Sequence, residues 1–79
     1  MKTVKKHFRT DRKDMAFVKF VFEAYEGIAT MTTENAAEGR FFFVIPAGCE
    51  EDVETVLSDL RKEIWIEPVN PEQEESGTV

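Results

Sequence analysis

Two apolar rhythms organise the chain. Val53, Val56, Leu57, Leu60 and Ile64 recur at helical spacing with charged residues on the remaining face, which predicts an amphipathic helix. Glu50, Glu51 and Asp52 occupy its first turn and Arg61 and Lys62 its last, as the helix dipole favours. The other rhythm is an unbroken run, Phe41-Phe42-Phe43-Val44-Ile45, set between Gly39-Arg40 and Pro46-Ala47-Gly48. A continuous apolar run predicts a strand covered on both faces, because a half-exposed strand would alternate with polar residues. Phe41, Phe43 and Ile45 then share one face, and Phe42 and Val44 the other.

An earlier helix is predicted from Arg12 to Glu26, stopping at Gly27, with Thr10 or Asp11 as its cap. Its apolar residues form two stripes, Phe17/Phe20/Val21/Ala24 and Met15/Val18/Phe22/Tyr25. At helical spacing they span roughly 220°, against the ≳ 100° that packing on one surface requires. That helix therefore asks for a second partner, either the other helix or another subunit. Residues 2–9 alternate loosely, with Val4 and Phe8 on one side and Lys6 out of place among them, and residues 28–34 are β-branched; both predict strands. Asn35 to Gly39 is a hairpin-length loop. Ile64 to Glu67 makes a short last strand, and Pro68 confines it to an edge.

The resulting order, β-α-β-β-α-β, is that of an α+β ferredoxin-like plait: a four-stranded antiparallel sheet with two helices on one face. That topology puts the first and third strands in the middle, so the Phe-rich strand lies where burial is greatest. Residues 1–69 form one domain of a size that gains materially from a partner surface. Residues 70–79 are acidic, nearly free of apolar groups, and read as a disordered tail.

Charge sharpens this picture. The net charge of −6 divides into a basic first stretch (residues 1–20, net +5), a mildly acidic middle (residues 21–46, net −3) and a strongly acidic last stretch (residues 47–79, net −8). The acidic total opposes nucleic-acid binding at long range, although a local basic strip remains. The lone cysteine, Cys49, rules out an internal disulfide and suits a reducing compartment, and Lys19 and Glu23 interrupt the early apolar stretch where a signal or span would run. A soluble, cytoplasmic protein without membrane contact is expected.

Candidate chemistry is sparse. His7 is the only histidine, and a metal or nucleophilic site needs several clustered ligands or a base beside the thiol, so no metal or other cofactor is expected. Cys49 precedes a helix, where the dipole favours a thiolate, but three acidic residues follow it directly; a packed or capping thiol is the reading. Glu50, Glu51, Asp52 and Glu54 splay around one helix and solvate its first turn. With no Gly-rich phosphate loop and no Ser/His/Asp set, the chain is expected not to be an enzyme.

Lys19 to Gly27 (Lys-Phe-Val-Phe-Glu-Ala-Tyr-Glu-Gly), Val44 to Glu50 (Val-Ile-Pro-Ala-Gly-Cys-Glu) and the Val53–Leu60 helix resemble a small bacterial family, domain of unknown function 4911, across about residues 4–66. That resemblance implies a short cytosolic bacterial protein and carries no catalytic residues. More loosely, the plait is similar to amino-acid-sensing ACT domains, which receive a ligand at a Gly-containing turn between the first strand and first helix. Here that turn is Arg9-Thr10-Asp11-Arg12, which argues against a small-molecule ligand.

The expectation is a non-catalytic, ACT-like regulatory or protein-interaction module acting as a homodimer or with an unidentified protein partner. Its interaction surface is expected at the Met15/Val18/Phe22/Tyr25 stripe and at the open sheet face bearing Phe42, Val44 and Trp65. The alternative is single-stranded RNA binding on that face. Gly39 to Val44 resembles the RNP1 pattern of RNA-recognition motifs, with Gly and Arg reversed and Phe42 where a small residue belongs; the first strand would add His7 and Lys5, and the basic N-terminus would meet phosphates.

Overall fold

The computed structural model describes residues 3–25 and 27–70; the expected tail, beyond Asn70, lies outside the described residues. The alternating segment at the start becomes β1 (Thr3–Thr10), followed by a 3-10 turn at Arg12–Asp14 and α1 (Met15–Ala24). β2 (Thr30–Asn35) leads through a second 3-10 turn, Ala36–Glu38, into β3 (Arg40–Pro46). α2 (Glu50–Leu60) and β4 (Ile66–Pro68) complete the chain. The strand order is β2-β3-β1-β4 with every neighbouring pair antiparallel, so the fold is the α+β ferredoxin-like plait.

β1 and β3 are central, and their long register, from Thr3↔Pro46 to Arg9↔Arg40, is the spine of the sheet. β3 alternates strictly: Phe41, Phe43 and Ile45 are fully buried, while Phe42 and Val44 are half-buried on the opposite face. Phe43 is the hub, with Phe22 of α1 at 4.3 Å, Phe41 at 5.3 Å and Phe8 of β1 at 5.7 Å between ring centroids. α2 adds Val53, Val56, Leu57 and Leu60, all buried, so its single stripe is fully used. Lys6, opposite Phe43 in the register, lies half-buried on this face, and its Nζ reaches Glu54 Oε2 on α2 at 3.4 Å.

Several boundaries differ from the expected ones. Thr10 is not a helix cap but the end of β1, since its N–H bonds Gly39 O at 2.9 Å and its buried hydroxyl donates to the Trp65 carbonyl. Neither Asp11 nor Asp14 caps through its side chain, so the chain enters α1 through the 3-10 turn. α1 ends at Ala24, because Tyr25 already leaves helical geometry (ψ 77°); Glu26 lies outside the described residues. β2 begins at Thr30 and β4 at Ile66, each two residues later than the composition predicts. The preceding Ile28 and Ile64 instead pack against the core from the connections.

Candidate interaction surfaces

The two stripes of α1 have opposite fates. Met15, Val18 and Phe22 are buried against the sheet, so these three expected interface residues belong to the core, which corrects the sequence reading. The reason is the sheet itself: Phe22 fits against Phe43, and one sheet face accommodates only one stripe. The other stripe is left in solvent. Phe20 is 69% exposed and Phe17 41%, with Tyr25, from the expected interface, 49% exposed just past the helix. Val21, half-buried, edges this surface, and the exposed Ala24 lies on it one turn beyond Phe20. Lys19 and Glu23 flank it on the side nearer β2, where with Phe22, Ala29, Thr30 and Met31 they line a half-open cleft of about 340 Å³.

The open sheet face is less bare than its sequence suggests. Pairing in the sheet aligns Lys5 with Val44 and His7 with Phe42, and side chains directly opposite share a face. Lys5 Nζ lies 4.7 Å from the Phe42 ring centroid and the His7 ring 5.2 Å from it, so Phe42 is covered from within the chain by two β1 side chains. His7 Nδ1 in turn lies 3.3 Å from Glu34 Oε1 of β2. At the other end Arg9 stands over Trp65, with its Cζ 5.9 Å from the ring centroid and its Nε–H donating to Glu38 O at 3.2 Å. Trp65 remains 45% exposed. Of the expected face residues, Trp65 is exposed while Phe42 and Val44 are half-buried.

Cys49 directly precedes α2, half-buried against the core, with its Sγ 3.8 Å from Gly27 O. Glu50 turns back so that its Oε1 accepts the Gly48 N–H at 3.0 Å, tying the loop to the first helical turn. Among the described residues no group of three or more His, Cys, Asp or Glu side chains is placed to hold a metal ion. None of the helices, again among the described residues, is long and apolar enough to cross a membrane.

Residues 8–64 match the family described as Domain of unknown function (DUF4911). The chain belongs to this family. No curated protein and no solved structure matches it. The family segment runs from Phe8 in β1 through α2 to Ile64 and holds most of the core, Phe8, Phe22, Phe43 and Leu57 included, while Ile66 lies just beyond it. Membership brings no assigned chemistry with it.

Two site features escaped the sequence. The exposure of Phe17 and Phe20 was unreadable because periodicity identifies two stripes without saying which one faces the sheet. The cover that Lys5 and His7 give Phe42 was half legible: alternation places them on the correct face, but only the register puts His7 opposite Phe42 and Lys5 within reach of the same ring.

Proposed function

We propose that this protein is a non-catalytic interaction module of the regulatory, ACT-like kind that works as a homodimer through the outer face of α1. The observation that carries the reading is Phe20, 69% exposed beside an exposed Phe17 on a helix whose other stripe is already in the core. Contiguous exposed apolar surface on a small domain marks an association site, and two-fold pairing is its commonest solution. The stripe is self-complementary. With two copies of α1 antiparallel about a two-fold axis near Phe20 and Val21, the large Phe17 meets the small Ala24 of the other copy. A small-molecule ligand is not part of the proposal. The residues of the β1–α1 turn are engaged internally, Thr10 with Gly39 and Trp65 and Arg9 with Glu38.

Sedimentation velocity and light scattering at low micromolar concentration should report a dimer that becomes a folded monomer on Phe20→Ser. A clean monomer for the unaltered chain sinks the reading. A second reading, binding of single-stranded nucleic acid on the open face, is favoured by Arg9 beside the exposed Trp65 and by Lys5, which has no carboxylate partner among the described residues. Against it, His7 and Lys5 already occupy the surroundings of Phe42. Oligonucleotide titration at low salt tests it, and affinity there should fall on Trp65→Ala and on Phe42→Ala.

A further inference from the structure

β1 is a central strand, and among the described residues half of one of its edges has no strand beside it. It pairs with β3 from Thr3 to Arg9, yet β4 lies beside it only from Phe8 to Thr10, with one further bond from Val69 N–H to His7 O at 2.9 Å. Backbone groups alternate sides along a strand, so the direction of the His7 carbonyl fixes that of its neighbours. The N–H and C=O of Thr3 and Lys5 point to the β4 side, where no strand lies among the described residues. Beside this edge runs a groove of about 370 Å³ whose lining includes Lys5, Lys6, Glu54, Arg61, Pro68 and Val69.

A row of unpaired backbone groups is a template for another strand, and the charges around it select which one. Lys5, Lys6 and Arg61 outnumber the single carboxylate of the lining, Glu54, which is engaged by Lys6. A second copy of the same edge would set Lys5 and Lys6 against themselves, so self-pairing is disfavoured. The sequence also disfavours an in-register continuation of β4. In the β1–β4 register the residue opposite Lys5 would be Pro71, which has no N–H to give.

We propose that the Thr3–Lys5 edge of β1 receives an extended acidic segment of a partner protein as an added strand. The segment's backbone completes the β1 ladder, and its carboxylates meet Lys5 on one face and Arg61, beside the Lys6–Glu54 pair, on the other. This site is separate from the α1 face and stands whether or not the chain dimerises.

The test uses the full chain and a short synthetic peptide, Val-Glu-Glu-Val-Glu-Glu-Val, whose adjacent Glu residues put carboxylates on both faces of an added strand, followed by NMR titration and amide hydrogen exchange. The expected result is saturable binding that weakens about tenfold or more between ~50 mM and ~500 mM salt, with the Lys5 amide slowed only in the complex. N-methylation of alternate peptide nitrogens should abolish binding to the unaltered protein, a readout free of any folding defect. Lys5→Glu with Lys6→Glu should weaken it by about tenfold or more, and Phe20→Ser should leave it unchanged. Three outcomes overturn the proposal. Absence of binding at low salt means the lysines merely guard the edge. Binding indifferent to N-methylation means charge alone attracts the peptide. A Lys5 amide already slow in the free chain means its own residues take the edge.

Discussion

Gly39 closes the β2–β3 connection with φ +72°, and a Cβ added there would stand 1.7 Å from the Thr10 carbonyl oxygen. The contact is with backbone, so no rotamer change relieves it. Gly48 also has positive φ, at +93°, but meets nothing within 4 Å. Gly48→Ala should therefore lose only the left-handed penalty of about 1–2 kcal/mol. Gly39→Ala should lose distinctly more, about 3 kcal/mol or above, because the β1–β3 ladder must shift as well. Paired denaturant midpoints check this, and equal losses for the two variants would contradict it. Thr10→Val keeps the shape but leaves the Trp65 carbonyl without its hydroxyl donor, for an expected loss of about 1–2 kcal/mol. Trp65 is the only tryptophan, so its fluorescence reports that transition directly. The Lys6–Glu54 pair is different in kind: both side chains are more than a third exposed, and Lys6→Ala should change stability by under about 1 kcal/mol.

At the scale of elements, α1 separates two roles along one helix. Phe22 stacks on Phe43 in the core, so Phe22→Ala should cost about 3–5 kcal/mol at any protein concentration. Phe20 touches solvent, and Phe20→Ser should leave the intrinsic stability of the fold within about 0.5 kcal/mol while removing self-association. Thermal melts of both variants across a concentration series distinguish the effects. Identical, concentration-independent losses would mean that Phe20 is structural. α2 offers no such division, because its apolar stripe is buried and its outer face is charged.

For the molecule as a whole, the proposed dimer makes stability a function of concentration. Anything that binds the native state raises the unfolding midpoint by mass action. The unaltered chain should therefore melt at rising temperature as concentration rises from low to high micromolar, and Phe20→Ser should flatten that dependence. A midpoint independent of concentration in the unaltered chain would speak for a monomer. The two proposed surfaces lie on different parts of the plait, the α1 face toward one side and the β1 edge beside α2 and β4, so both are available at once.

The sequence by itself determined the plait. The five apolar residues Phe41–Ile45 are too short a run between Gly39 and Pro46 for a helix, Val53–Leu60 keep helical spacing, and Pro68 has no N–H to share and so closes at an edge. Only the tertiary structure decided which stripe of α1 faces outward. Met15/Val18/Phe22 and Phe17/Phe20/Val21 are similar in hydrophobicity, and what chose between them was the fit of Phe22 on Phe43 across elements distant in the chain. The edge of β1 that β4 leaves uncovered among the described residues was likewise beyond sequence reasoning. It arises from the difference in length between β1 and β4, and that difference becomes visible only once the two strands are paired.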